Sequence, residues 1–362
     1  MARKPSVAAL RRKIDRLDDR LLALLNARAA LAQRIGAEKA QTNACVYDPA
    51  REKAVLARLA RASRGPLTPP LVRAIFTEIM SAARGLQGRL RVAYLGPEAT
   101  FTHLAARRHL GHAAEYVAVP TVADVFQAVE RGRADLGVVP VENSTEGMVA
   151  HTLDLLVDSP LRITAEVMLP VEHCLVARPG TRLAAVRLVV AHPQALAQCR
   201  RWLGAHLPGV RTAEAPSNAR AAARAAAEPG TAAIAAAAAA ETYGLAVLAP
   251  GIQDEPGNVT RFLVLAHHDA PRPTGDDRTS ILFSVRDEVG ILVEMLKPFA
   301  RHGIDLIKIE SRPLRERPWE YYFFVDLKGH RAEPRVRRAL AAVERRALRL
   351  KVLGSYPAAA DA

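Results

Sequence analysis

Val138–Gly147 reads VVPVENSTEG, and the organisation of the chain follows from it. The short apolar run Leu136–Val141 reads as a buried strand. Small polar residues end it, and an amphipathic helix is predicted from Met148 to Val157. Strand, polar turn and helix start make an anion pocket, because the first backbone N–H groups of a helix have no internal partner. Asn143, Ser144 and Thr145 add donors without adding charge. The same residues also read as a plain helix N-cap, with Ser144 or Thr145 capping and Glu146 in the first turn.

The alternation continues on both sides. Strands are predicted at Arg91–Leu95, Glu115–Val119, Val186–Ala191, Val210–Ala213, Ala232–Ala235 and Arg261–Leu265. Helices are predicted at Thr102–Leu110, Val122–Arg131, Pro193–Leu203, Ala219–Ala227 and Ala236–Tyr243. Such alternation argues for parallel sheet with crossover helices. Two strands in succession within Leu161–Val176 mark a crossing between two α/β lobes, with a cleft between them. Three strand-to-helix turns carry polar residues: GPEATFTH (Gly96–His103), ENSTEG (Glu142–Gly147) and HPQALAQ (His192–Gln198). A fourth polar cluster, NVTRF, spans Asn258–Phe262. Each alone is turn or cap chemistry; four in one α/β unit point to a site for a small acidic ligand.

Absences narrow the chemistry. Residues 91–268 contain no lysine, which excludes a Schiff base or a pyridoxal phosphate lysine there. No GxGxxG follows a strand, and there is no Walker lysine. The net charge is +14, but the arginines are spread along amphipathic helices without interleaved aromatics. That favours sites for acidic small molecules over nucleic acid. Cys45, Cys174 and Cys199 are isolated, with no metal-ligand spacing and no disulfide framework. The basic N-terminus is followed by no apolar h-region, and no long apolar span occurs, so a cytoplasmic protein is expected.

Ser6–Ala40 is a single helical pattern with apolar residues Leu10, Ile14, Leu17, Leu21, Leu24, Leu31 and Ile35. Arg28 breaks this seam where another leucine is due. The seam is too long for so small a region to cover, so a partner chain is expected. Asp48-Pro49 and Thr68-Pro69 start two further helices. Asp48, Arg51 and Glu52 share one face of the second, and Gln87 ends the third. Arg28 and Lys39 lie about 20° apart around the first helix and about 16 Å apart along it. They suit a small dianion; Arg11, about 25 Å further up, joins such a site only from an antiparallel subunit. Each also has a plain role, as a snorkelling arginine, a cap or a surface charge.

This set, over residues 6–90, resembles the all-helical chorismate mutase family, a dimer that rearranges chorismate to prephenate. The resemblance implies that Arg11 of the other subunit, Arg28 and Arg51 hold the carboxylates. Lys39 and Gln87 face the ether oxygen, and Asp48 and Glu52 the ring hydroxyl. Ala83 stands where a serine is common. Such a rearrangement needs no nucleophile, only a folded substrate and donors where charge grows.

Over residues 91–268, VAYLGPEATF, VPVENSTEG, PVEHCL, HPQALAQC, YGL and NVTRFLVL resemble prephenate dehydratase in the family's order. The resemblance implies loss of water and carbon dioxide from prephenate, leaving phenylpyruvate. Thr260 would help the hydroxyl leave, and Asn143, Ser144, Gln198 and Arg261 would bind the diacid. Ala99 replaces a glycine and Ala191 a serine common in the family. An arogenate dehydratase, a non-catalytic acid-binding protein and a basic nucleic-acid-binding regulator are the competing readings.

Ala270–Asp277 reads as a linker. Beyond it the predicted order is strand, helix, strand, strand, helix, strand, a ferredoxin-like sandwich. Residues 278–357 resemble the ACT regulatory domain. Glu310-Ser311-Arg312-Pro313 matches its ESRP motif, and Gly290-Ile291-Leu292-Val293 its GALV motif except at Ile291. These motifs imply phenylalanine binding between paired ACT domains. The expected layout is therefore multidomain: an all-α domain (1–89), a two-lobed α/β domain (90–268), a linker (269–277), an α+β ferredoxin-like domain (278–357) and a tail (358–362). The resemblances imply no cofactor or metal, the substrates chorismate and prephenate, phenylalanine as effector, and a homodimer, with no membrane or nucleic-acid partner.

Overall fold

The computed structural model describes residues 6–41, 45–286, 288–313 and 321–359. The chain divides into two bodies. The first is helical, built from α1 (Val7–Gln41), α2 (Pro49–Ala62) and α3 (Pro69–Gln87). The first turn of α2, Pro49–Ala54, is counted with the second body.

α1 runs unbroken for 35 residues, as its lack of proline allows, and packs on α3. Its seam from Leu10 to Ile35 is exposed along its whole length. Ala32 and Gly36 are buried instead. A Cβ on Gly36 would sit 2.8 Å from Gln87 Cγ, so the missing side chain lets the end of α3 approach α1. Gly36→Ala is expected to push Gln87 aside and cost about 1–3 kcal/mol, measured as a lower urea midpoint.

The second body holds two α/β lobes and a C-terminal sandwich. Lobe A comprises β1 (Arg91–Leu95), α4 (Phe101–Leu110), β2 (Glu115–Val119), α5 (Val122–Glu130), β3 (Leu136–Asn143), β4 (Gly147–Met148), α6 (Ala150–Asp158) and β5 (Arg162–Pro170). The chain then crosses to lobe B: β6 (Cys174–Ala177), β7 (Leu188–Ala191), α7 (Pro193–Gln198), α8 (Arg200–His206), β8 (Arg211–Glu214), α9 (Asn218–Ala227), β9 (Thr231–Ala235), α10 (Ala237–Tyr243) and β10 (Ala246–Ala249). It returns to lobe A as β11 (Val259–Ala266).

The sheets are mixed, not parallel throughout. β1 pairs parallel with β3, but the returning β11 slots between β3 and β5, antiparallel to both. In lobe B, β7 is parallel to β8 and β9, while β6 and β10 run against their neighbours. A strand that re-enters a sheet directly from another lobe has no crossover helix to impose parallel pairing.

Two local expectations change as well. The ENSTEG stretch is not a helix start. β3 continues to Asn143, and β4 returns antiparallel to it. The backbone N–H groups of Thr145 and Glu146 both donate to Asn143 Oδ1, at 3.0 Å each. An asparagine closing its own turn this way makes a hairpin. α6 starts only at Ala150 and has no side-chain cap. The predicted Pro193–Leu203 helix is two helices, broken at Cys199, because the Asp254 carboxylate accepts from the backbone N–H of Arg201 and Trp202 and so caps α8.

The C-terminal sandwich comprises β12 (Asp277–Ser284), α11 (Ile291–Arg301), β13 (Leu306–Pro313), β14 (Tyr321–Lys328), α12 (Pro334–Glu344) and β15 (Arg349–Pro357). Its sheet order, β13-β14-β12-β15, with every pair antiparallel, is the expected ferredoxin-like one. α11 and α12 cover one face. The other face shares a core with lobe A, where Leu282, Phe324 and Leu353 meet Leu153, Ile163 and Leu263. Gly354 permits this, since a Cβ there would sit 2.1 Å from the Ile163 carbonyl oxygen.

Candidate active sites

Strand pairing builds the first site. Asn143 at the end of β3 lies directly opposite Thr260 at the start of β11. Asn143 Nδ2 donates to Thr260 Oγ1 at 2.8 Å and to Asn258 Oδ1 at 2.6 Å. Its own Oδ1 is held by the two turn amides, so the direction of this amide is fixed. Asn258 Nδ2 in turn donates to Gln198 Oε1 of lobe B at 3.3 Å. Gln198 Nε2 donates to Glu146 Oε1 at 3.1 Å. A cleft of about 320 Å³ opens beside this chain, walled by Thr145, Glu146, Gln198, Arg200 and Asn258 among others. Asn143 and Thr260 are not in that wall; they join it through Asn258.

Asn143, Gln198 and Thr260 are thus brought together. Ser144 serves the backbone: its Oγ accepts from Val259 N–H at 3.0 Å, pinning the turn to β11. Arg261 departs from expectation. Successive strand side chains point to opposite faces, so its guanidinium turns away from the side that Thr260 presents. Arg261 is buried, with Nε donating to Glu166 Oε2 at 2.7 Å, Nη1 to Asp326 Oδ2 at 2.5 Å and Nη2 to the Tyr356 hydroxyl at 2.9 Å. Burial alone would weaken its hold on the proton; Tyr356, Asp326 and Glu166 more than reverse that. Its groups are committed to a buried cluster, apart from the diacid-binding role that the resemblance implies. Among the cleft-wall arginines, Arg201 pairs with Asp254 and Glu255, leaving Arg200 as the better-placed cation.

No thiol competes as a nucleophile here. Cys174 and Cys199 are buried, and burial chiefly pushes the Cys199 thiol up to about 12.

The second set lies on and around α1, α2 and α3. Lys39 Nζ donates to the carbonyls of Cys45 and Val46 at 2.8 and 3.1 Å. Arg28, half-buried, reaches the Ile79 carbonyl at 3.5 Å. Gln87 Oε1 is buried with no hydrogen-bond partner among the described residues. Asp48 is half-buried and Arg11 exposed; Arg51 and Glu52 lie in the first turn of α2. Arg84, not foreseen, is buried with its guanidinium 5.9 Å from the Tyr47 ring centroid and bonded to the Leu110 carbonyl.

Three family models match in order: chorismate mutase type II over residues 10–88, prephenate dehydratase over 92–270 and the ACT domain over 279–345. The bifunctional chorismate mutase/prephenate dehydratase of Aquifex aeolicus (strain VF5) is 46% identical over 354 residues, 97% of each chain. The chain belongs to the bifunctional chorismate mutase/prephenate dehydratase family.

Among solved structures, the prephenate dehydratase of Arthrobacter aurescens in complex with L-Phe matches at TM-score 0.69 and 38% identity, covering 74% of this chain and 90% of that one. GqqA, described as a quorum-quenching acylase, matches at TM-score 0.69 and 31% identity, covering 74% and 98%. The dehydratase fold is therefore shared by enzymes of different description, so the fold alone does not assign the activity.

Within the dehydratase region, Ala99 sits at φ +63° with its methyl in the lobe B core, so burial offsets the left-handed backbone. Ala191 is fully buried in the same lobe. Ala83 is buried in the helical body. In the ACT sheet, Arg312 lies opposite Tyr322, which lies opposite Ser284. The ESRP residues and the start of the connection to α11 therefore share one end of the sheet. Arg312 pairs with Asp154 of α6 at 3.0 Å. Gly290 caps α11, Leu292 and Ile291 pack against the sandwich core, and Val293 is exposed. Sequence reasoning missed Asn258, Glu146 and His173. All three sit inside quoted motifs, but only the folded chain shows what they touch.

Proposed function

We propose that Thr260, Asn143, Gln198 and Arg200 perform the dehydratase step, and that Lys39 and Gln87 serve the mutase step. The chain is an enzyme with both activities, converting chorismate to prephenate and prephenate to phenylpyruvate, under feedback by phenylalanine.

One observation carries the dehydratase roles: Asn143 donates to Thr260 Oγ1. The threonine oxygen is therefore an acceptor toward Asn143, and its O–H is free to point at substrate. Accepting a hydrogen bond polarises the O–H and makes it a better donor. As the bond to the carboxyl carbon breaks, its electron pair enters the ring and the C–O bond opens. Thr260 stabilises the charge growing on the departing oxygen. One proton is consumed overall, and carbon dioxide, water and phenylpyruvate leave. Arg200 at the cleft wall pairs with a substrate carboxylate.

In the mutase, Lys39 donates to the ether oxygen with Gln87, and Arg28 and Asp48 keep the roles that the resemblance implies. So do Arg51, Glu52 and, from a second copy, Arg11. The exposed α1 seam supports a homodimer, since an uncovered apolar stripe of that length asks for another helix. Lys39→Ala is expected to slow chorismate turnover about 10²-fold, measured on the full chain. Phenylalanine binds at Gly290–Val293 and Glu310–Pro313. A cytoplasmic setting is supported by Cys174 and Cys199, which stay buried thiols; no described helix is long and apolar enough to cross a membrane.

The deciding experiment incubates the protein with chorismate, with and without phenylalanine, and follows products by mass spectrometry. Prephenate then phenylpyruvate should form, the latter suppressed by phenylalanine. Unchanged chorismate, or accumulation of prephenate alone, sinks one or both assignments.

A further inference from the structure

His173 lies in lobe B beside Gln198 and is 2% exposed. Its Nε2 is 2.9 Å from Gln198 Oε1. Its backbone is fixed from both sides: its N–H donates to Gln253 Oε1 at 3.0 Å, and its carbonyl accepts from Ile252 N–H at 2.8 Å. Its Nδ1 is buried with no partner among the described residues. Phe101 from lobe A meets the ring edge-on, centroids 5.8 Å apart.

The donor directions along this row can be worked out from its ends. Backbone N–H groups cannot accept, so Thr145 and Glu146 fix Asn143 with its oxygen toward the turn and its nitrogen toward Asn258 and Thr260. At the other end a carboxylate only accepts, so Glu146 fixes Gln198 with its nitrogen outward and its oxygen toward Asn258 and His173. An oxygen facing His173 requires Nε2 to carry the hydrogen. Burial, opposed by the Gln198 bond, lowers the His173 pKa, in keeping with a neutral ring.

We propose that His173 is a positioning residue for the dehydratase. Its Nε2–H fixes the Gln198 carbonyl within lobe B, and Gln198 carries that hold across the lobe junction to Asn258, which keeps Asn143 and Thr260 in place. The row His173–Gln198–Asn258–Asn143–Thr260 spans both lobes, so it also fixes their spacing at the cleft. Without the donor at its lobe B end, Gln198 is free to shift, and with it Asn258 and the placement of the Thr260 hydroxyl. This rests on the dehydratase reading above.

The test uses the full chain with prephenate as substrate. His173→Leu removes the donor and is expected to lower kcat about 10²-fold through misplacement, with KM changed by no more than about twofold. His173→Gln can place an amide N–H where Nε2–H stands and should recover most of kcat. That rescue, and the confinement of the loss to kcat, are what mere packing would not produce. Asn258→Asp, which sets an acceptor against Gln198 Oε1, should lose kcat similarly and gives a second reading should His173→Leu fail to fold. Full activity in His173→Leu, or equal losses in the Leu and Gln variants, overturns the proposal. A wild-type protein that forms phenylpyruvate alongside such results overturns the relay alone; one that forms none overturns the dehydratase reading itself.

Discussion

Thr260→Ala in the full chain is expected to cut phenylpyruvate formation from prephenate by about 10³-fold while chorismate is still converted to prephenate. The argument is geometric. Thr260 is the hydroxyl that Asn143 points at, and alanine leaves that amide donor facing an empty position. Thr260→Ser keeps the O–H and should retain much of the activity; Thr260→Val keeps the shape and should not. The mutase supplies an internal control, because its family match ends at residue 88, well before β11. Parallel loss of both activities would mean a folding defect and would remove Thr260 from the chemistry. A valine variant as active as serine would do so more directly.

Asp326→Asn should be the most destabilising single change, at about 3–5 kcal/mol, because it leaves Arg261 buried with too little counter-charge. Arg261, Arg278, Glu166 and Asp326 form one cluster, with Arg278 Nη1 on Glu166 Oε2 at 2.8 Å and Ser280 Oγ donating to Asp326 Oδ1. Replacing both partners, Arg261→Met with Asp326→Leu, should recover most of the loss, since an apolar pair needs no counter-charge. Urea melts of the three proteins give the comparison, and a harmless Asp326→Asn would show the cluster to be weak. The pH dependence has a definite sign. Burial alone would raise the Asp326 carboxyl; Arg261, Ser280 and Arg278 outweigh it and hold it below the usual range. A carboxylate lowered on folding stabilises above its unfolded value. That contribution is therefore complete above about pH 4 and is lost as pH falls toward the depressed folded value.

The helical body was readable because a 3.6-residue period repeated over 35 residues leaves no other reading. The sandwich was readable from the alternation of strand and helix patterns, its six elements falling in the expected order. The errors came where a distant residue decides a local event. α7 and α8 separate because Asp254, some fifty positions later, caps the second. ENSTEG became a hairpin because β11 completes the sheet beside it and Ser144 ties the turn to Val259. Arg261 was given a place at the site by the resemblance alone; on a strand, adjacent side chains face opposite ways, and its guanidinium is held by Glu166, Asp326 and Tyr356. Asn143, Gln198 and Thr260 lie in polar clusters that stand out in the sequence, and the fold brings them into one hydrogen-bonded row. His173 did not stand out, sitting beside Glu172 in the short stretch PVEHCL.

β11 has a further consequence, one of timing. It is the last strand of lobe A to be synthesised, yet it sits between two made much earlier, pairing Thr260 with Asn143 and with Leu169. A ribosome-bound chain that has exposed β3 and β5 still lacks the rung that joins them. Contacts of such long sequence separation form slowly. The strand that closes the sheet also carries the Thr260 hydroxyl to Asn143, so a half-made chain has neither a finished lobe nor the Asn143–Thr260 pair.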